Sequence, residues 1–187
     1  MFDSIFNPIQ LPSHALLKEQ EGKGNYAIKK YYQFPYRPFY RKKLYMVRNL
    51  LNKGRIYKNI LDFGSGPGIF TKELKRHATS VTSVNETDVI DTRSRFECIV
   101  AASTFEFIDD LESTLRTLHQ ISYRKSQIIV ASPLDSKASR LYFRLIGDKH
   151  VRNSRETIEN IVKKYFRIIK REEWMGFYFA FKGISRW

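Results

Sequence analysis

The chain has 187 residues, a single cysteine and a formal net charge of +14. That length suits one domain with a sizeable core. The lone Cys98 excludes an internal disulfide, and with no leader-like N-terminus it points to a reduced, cytoplasmic setting. No apolar run nears the ~18 residues of a membrane span, the four histidines lack metal-ligand spacing, and the basic excess favours polyanionic company without naming a chemistry.

Residues 1–24 hold Pro8, Pro12 and few periodic apolar positions, and read as an arm. Leu16 and Leu17 start a short helix that Gly22 and Gly24 end. Residues 22–61 contain no acid but eleven Lys or Arg and nine Tyr or Phe. After Pro38 a helix is expected, with Tyr40, Leu44, Val47 and Leu51 on one face, Leu50 beside them, and Arg41, Lys42 and Arg48 elsewhere. Residues 1–57 thus read as an arm and a basic, aromatic-rich helix packed on a body formed by 58–187. Two readings of the basic stretch, residues 23–58, stay open. One is a core-packed helix with a solvated basic face; the other is a surface for a polyanion, either RNA or an anionic membrane.

Residues 58–63 read as a strand and 69–77 as a helix, with Gly64, Gly66 and Gly68 alternating between them. Such a turn needs positive φ or close backbone approach, and its outward amides at a helix N-terminus can hold a polar ligand. Asp62, just before the turn, can accept a hydrogen bond from the turn or from an ammonium group. Residues 80–84 alternate Val81 and Val84 with Thr and Ser in a second strand. It ends at Asn85 and Glu86, and Glu86 lies eighteen residues past Gly68; in dinucleotide-type folds an acid about twenty residues on binds the ribose hydroxyls.

Residues 96–102 form a buried strand, with 104–107 as its exit loop. Asp109 and Asp110 open a helix that carries Leu111, Leu115 and Leu118 inward, with acids at its positive end. Residues 127–131 are another buried strand, closed by Ser132 and Pro133. The stretch 135–152 is basic and amphipathic, mixing Leu141, Phe143 and Leu145 with Arg140, Arg144, Lys149 and Arg152. Asn153 reads as an N-cap with Glu156 three residues on, before a helix that lines Ile158, Ile161, Val162, Tyr165 and Phe166 on one face. A strand at 167–171 and a last one carrying Phe177, Phe179 and Phe181 pair antiparallel. Strand–helix alternation with continuous apolar strands implies a parallel α/β sheet covered on both faces. Ligands bind beyond the carboxyl ends of such strands, here residues 64–68, Glu86, 103–105 and 132–135.

The run from Leu61 to Gly68 resembles the first motif of class I S-adenosylmethionine-dependent methyltransferases. Residues 96–103 followed by 105–110 are similar to their fourth-strand motif as found in small-molecule methyltransferases, where the exit loop commonly reads Leu-Glu-His. The resemblance spans roughly residues 58–183. It implies a Rossmann-like sheet of seven strands with the last antiparallel, and S-adenosylmethionine as cofactor. Carried over, Asp62, Gly64, Ser65, Gly66 and Gly68 contact or shape the cofactor site. Glu86 or Asn85 meets the ribose, and Ser103, Thr104 and Phe105 flank the sulfonium. The segment after Glu86 is far shorter than usual, so the family's intervening helix and strand shrink to a loop or very short strand at 88–91, where Asp91 is the candidate adenine contact. Phe107 stands in place of the common His, which removes a base. No catalytic residue is assigned, and His119 and His150 read as surface or packing residues.

Methyl transfer from a sulfonium is an in-line displacement with a good leaving group, so positioning lowers much of its barrier. The expected activity is methyl transfer to a small or lipid-like acceptor. The rivals are a methyltransferase for RNA or another polyanion, and a nucleic-acid- or membrane-binding module that keeps the fold without the cofactor.

Overall fold

The computed structural model describes residues 8–19, 23–145 and 153–187, with backbone alone for 23–26. At its centre are strands β1 (Tyr57–Phe63), β2 (Ala78–Val84), β3 (Phe96–Ala102), β4 (Ser122–Pro133), β5 (Phe166–Trp174) and β6 (Tyr178–Ser185). They form one six-stranded sheet in the order β2-β1-β3-β4-β6-β5. β1 runs parallel to β2 and β3, and β3 parallel to β4. The last strand, β6, is antiparallel to both β4 and β5. The mostly parallel α/β sheet with an antiparallel last strand is the architecture expected.

The strand count differs from the seven that the resemblance implies. Residues 85–95 form turns and no strand, so β2 lies at the edge of the sheet. A crossover with its helix takes at least about 10–12 residues before any strand is added, and the segment has no room for both.

Side-chain alternation explains why both faces are covered. Ile60, Cys98, Val100, Ile129, Ala131, Tyr178 and Ala180 join one core cluster, and their neighbours Leu61, Ile99, Ala101, Ile128, Val130, Phe179 and Phe181 join the other. Period-2 alternation with apolar residues at every position is what a strand buried on both faces requires. The second cluster is closed by Leu111, Leu115 and Leu118 of α5 (Leu111–Gln120), and by Ile158 and Val162 of α7 (Arg155–Tyr165). Asp110 caps α5 by accepting from the Ser113 amide at 2.9 Å.

The first cluster is closed by the N-terminal helices α1 (His14–Lys18), α2 (Lys23–Tyr32) and α3 (Tyr36–Leu50). Pro38 lies in the first turn of α3, where its missing N–H costs no helical bond. Gly24, expected to end a helix, lies inside α2. Propensity is a weak prior there, and α2 is held by burying Ala27 and Tyr31 against α3. Two further α-helices lie among the described residues, α4 (Thr71–Leu74) and α6 (Lys137–Leu145).

α4 is shorter than the helix expected over 69–77. The amides of Arg76 and His77 bond to carbonyls three residues back, at 3.0 and 2.8 Å, which tightens the chain into turns and lets β2 start at Ala78. Ser154, not Asn153, caps α7, its hydroxyl accepting from the Thr157 amide at 3.2 Å. Asn153 instead donates Nδ2 to the carbonyls of Phe105 and Ile108 at 2.9 and 2.7 Å. Lys149, His150 and Arg152 lie outside the described residues. No described helix is long and apolar enough to cross a membrane.

Candidate active site

A cavity of about 220 Å³ opens at the carboxyl edge of the sheet, on the side covered by α2 and α3. The β1–α4 turn forms its floor. Gly64, Gly66 and Gly68 all have positive φ. Gly64 is required twice over, because a Cβ there would lie 2.1 Å from Thr104 Oγ1. Thr104 in turn donates to the Phe63 carbonyl at 3.1 Å and locks the turn against the exit loop of β3. A Cβ on Gly66 would meet nothing within 4 Å, so this glycine faces the open cavity. The expectation that the turn amides face a ligand is corrected in part. The amides of Gly64 and Ser65 both bond to the Val84 carbonyl, at 2.8 and 3.1 Å, and that of Gly68 bonds to the Ser65 carbonyl. Pro67 has no N–H, so the Gly66 amide is the turn donor those bonds leave over.

Asp62 ends the inward face of β1 and is 3% exposed. It accepts from Thr71 Oγ1 at 2.6 Å. Burial pushes its carboxyl up to about 6, with Thr71 pulling the other way. Opposite stands Lys43 of α3, 1% exposed. Its Nζ donates to Ser103 Oγ at 2.5 Å and to the Tyr31 hydroxyl at 3.3 Å, and it lies 5.5 to 6.0 Å from the ring centres of Tyr31, Tyr40 and Tyr178. Both hydrogen-bond partners are neutral. Among the described residues no carboxylate lies within ion-pairing distance of Lys43, and no cation within that distance of Asp62. Burying one charge of each sign without an ionic partner is costly.

Glu106 completes the charged lining. It is fully buried, and its Oε2 accepts from Ser132 Oγ at 2.7 Å. Its Oε1 has no partner among the described residues. Burial raises its carboxyl above the usual range, with Ser132 and the Lys43 charge opposing.

The residues singled out from sequence divide into three groups. Asp62, Gly64, Ser65, Gly66, Glu86 and Ser103 line the cavity. Gly68 and Thr104 shape it from behind. Phe105 is fully buried in the opposite cluster, its ring centre 6.1 Å from that of Phe63. Asn85 turns its side-chain amide to Asp88 at 3.2 Å. Asp91 is exposed and paired with Arg93 at 3.1 Å, away from the cavity. Lys43, Glu106 and the tyrosines were not singled out. Lys43 lies three residues after Tyr40 and next to Leu44, within the inward arc of its helix, so a cation on an apolar face was the available signal. His119 packs on Trp187 with ring centres 4.6 Å apart, remote from this site.

Much of the basic and aromatic character of 23–58 is used internally. Lys30, Tyr31, Tyr40 and Lys43 are buried, and Arg48 and Arg55 lie over Tyr45 and Tyr57.

Solved structures share this fold. The N-methyltransferase NodS of Bradyrhizobium japonicum, solved with S-adenosyl-L-homocysteine, superposes with a TM-score of 0.63 at 15% identity, covering 86% of this chain and 97% of its own. A Thermotoga maritima S-adenosylmethionine-dependent methyltransferase, described as a possible histamine N-methyltransferase, gives 0.60 at 15% identity, covering 92% and 99%. A third from Mesorhizobium loti gives 0.61 at 10% identity, covering 75% and 96%. No curated protein matches the sequence. The fold is therefore that of the class I methyltransferases. The profile of the methyltransferase-domain family matches residues 36–165, and the chain belongs to that family of enzymes, whose methyl donor is S-adenosylmethionine.

Proposed function

We propose that this cavity binds S-adenosylmethionine by its amino-acid end and transfers the methyl group to a small or lipid-like acceptor. The observation that carries the reading is the pair Asp62 and Lys43, two buried charges of opposite sign that make no direct ion pair, with Glu106 acting on Lys43 only at longer range. A zwitterion satisfies both, with its ammonium at Asp62 and its carboxylate at Lys43. Gly66 gives the backbone clearance beside them, and Ser103 and the Gly66 amide supply neutral polar contacts. Glu86, at the end of β2, is the acid for the ribose hydroxyls. Gly64, Gly68 and Thr104 hold the turn, Ser65 lines it, and Asn85 braces the Glu86 turn through Asp88. Asp91 and Phe105 take no contact role in this reading.

When bound, the donor supplies a sulfonium methyl and a neutral thioether leaving group. The chain's own contribution is orientation. Phe107 and Phe143 extend the aromatic lining beyond the tyrosines that surround Lys43, and this apolar wall suits an acceptor with an apolar body. Binding is tested by titrating S-adenosylhomocysteine into the wild type, Asp62→Asn and Lys43→Met. Loss of about ten-fold or more in each variant is expected, as for a buried charge-assisted contact; wild-type affinity in both would defeat the reading. Labelled methyl transfer into a cell extract, separated into protein, RNA and solvent-extracted pools, tests the acceptor. Label in the solvent-extracted pool is expected, and label confined to RNA would replace the acceptor class.

A further inference from the structure

A surface beside the cavity takes no part in donor binding. α6 turns Ser139 and Phe143 inward, Phe143 onto the cavity wall. Its outward face carries Leu141 and Leu145, 60% and 77% exposed and one turn apart. Lys137, Arg140 and Arg144 flank them, all exposed. The loop joining β5 and β6 abuts the start of this helix, where Ser136 Oγ donates to the Gly176 carbonyl at 2.6 Å. That loop projects Met175, 75% exposed. Behind the patch Tyr142 stacks on Phe39 with ring centres 4.1 Å apart, and Phe39 meets Trp174 and Phe177 edge-on. The apolar side chains are therefore presented from a packed base.

Charge and polarity together select the partner. A nucleic acid would engage Lys137 and Arg144 but leave Leu141, Leu145 and Met175 in water. An apolar protein groove would cover the leucines and strand the cations. A bilayer with anionic headgroups takes both, the apolar side chains below the phosphates and the cations among them. The overall charge of +14 adds long-range attraction to such a surface. Arg140 already forks onto Asp135 at 2.6 and 3.0 Å, which leaves Lys137 and Arg144 as the cations for the headgroups.

We infer that α6 and the β5–β6 loop dock on an anionic phospholipid surface, so that the aromatic side of the cavity receives its acceptor from the bilayer. Only that last step rests on the cavity being the methyl-transfer site. The test is co-sedimentation with vesicles of phosphatidylglycerol and phosphatidylcholine in equal parts, against phosphatidylcholine alone. It uses the wild type, Leu141→Glu/Leu145→Glu, and Lys137→Glu/Arg144→Glu, with S-adenosylhomocysteine affinity measured in parallel. The wild type should bind the anionic vesicles about ten-fold more tightly or better, and each variant should lose about ten-fold while its affinity for S-adenosylhomocysteine stays unchanged. Equal vesicle binding by wild type and both variants overturns the proposal. So does a wild-type dimer, seen in sedimentation, that the leucine variant dissociates without any vesicle-binding difference, because a second copy then covers the face. Failure of vesicle binding with intact S-adenosylhomocysteine binding removes the membrane surface alone. The converse result removes the donor reading alone.

Discussion

In the proposed reading of the cavity, Asp62 is the residue at which fold stability and ligand binding oppose each other. Its folded pKa of about 6 lies above the ordinary 3.8, so the unliganded protein holds a proton there that the unfolded chain gives up. The associated stability is present below about pH 4 and is lost as pH rises through about 6, an upper bound of ~3 kcal/mol for a two-unit shift. Asp62→Asn should therefore raise the thermal midpoint of the donor-free protein at pH 7 and flatten its dependence between pH 4 and 6. The same ionisation that costs stability is needed for an ammonium ligand. S-adenosylhomocysteine affinity of the wild type should fall about ten-fold from pH 7 to pH 5, and calorimetry on the Asn variant should find a weak, pH-independent site. Gly64 is the complementary case, a residue whose role is steric. Gly64→Ala places a methyl 2.1 Å from Thr104 Oγ1 at a positive φ, so about 2–5 kcal/mol of stability should be lost in denaturant titration. Asp62 and the glycines stand out in sequence because turn chemistry is local. Lys43 shows in sequence only as a cation on an apolar helix face and Glu106 not at all, because the burial of a charge is settled only when the helix and the loop are brought together.

At the scale of elements, the joint between the N-terminal arm and α4 depends on one carboxylate. Glu73 is fully buried. Its Oε2 accepts from the Gln10 amide at 2.8 Å, and Arg48, Arg76 and His77 stand within 3.8 Å of its oxygens. Burial pushes the carboxyl up, but His77, the Gln10 amide and the two arginines outweigh it and hold it below the usual range. Its stabilising contribution is thus present above the ordinary carboxyl pKa and is lost as pH falls through the lower folded value. Glu73→Ala should cost about 1–3 kcal/mol by removing the acceptor of the Gln10 amide and the carboxylate that Arg48 and His77 face, and limited proteolysis should cut within residues 8–19 sooner than in wild type. Gln10 and Glu73 are 63 residues apart, which is why the arm reads only as an arm until the fold is known. The strands were legible for the opposite reason. Runs such as 98–102 and 128–131 are apolar throughout and flanked by polar residues, and the structure places them within β3 and β4, with β3 at the expected 96–102. Their neighbours shift where long-range pairing decides. β4 starts at Ser122 because Phe96 pairs there across a register shift, and Asn153 gives up the cap of α7 to satisfy two carbonyls of the β3 exit loop.

For the whole molecule, the missing strand decides how a donor is held. The sheet ends at β2, whose Thr79, Ser80, Thr82 and Ser83 are exposed, and residues 85–95 form turns where a fuller member of the fold would build a wall. Asp91 pairs with Arg93 in solvent there. The enclosed volume of about 220 Å³ falls short of the roughly 300 Å³ at which pockets for drug-sized ligands begin. Its lining includes Asp62, Lys43 and the turn at 64–67 and meets the 85–95 segment only at Glu86. Binding free energy should therefore concentrate in the amino-acid end of the ligand, with the nucleoside end contributing little beyond the Glu86 contact. 5′-Methylthioadenosine, which keeps the nucleoside and lacks the zwitterion, should bind at least about 100-fold more weakly than S-adenosylhomocysteine, the loss expected for two buried charge-assisted contacts. Lys43→Met should weaken S-adenosylhomocysteine while leaving 5′-methylthioadenosine unchanged. If the two ligands bind equally well to the wild type, the nucleoside end carries the affinity. The loop at 85–95 would then have to supply the adenine contacts that its exposed, self-paired side chains do not offer.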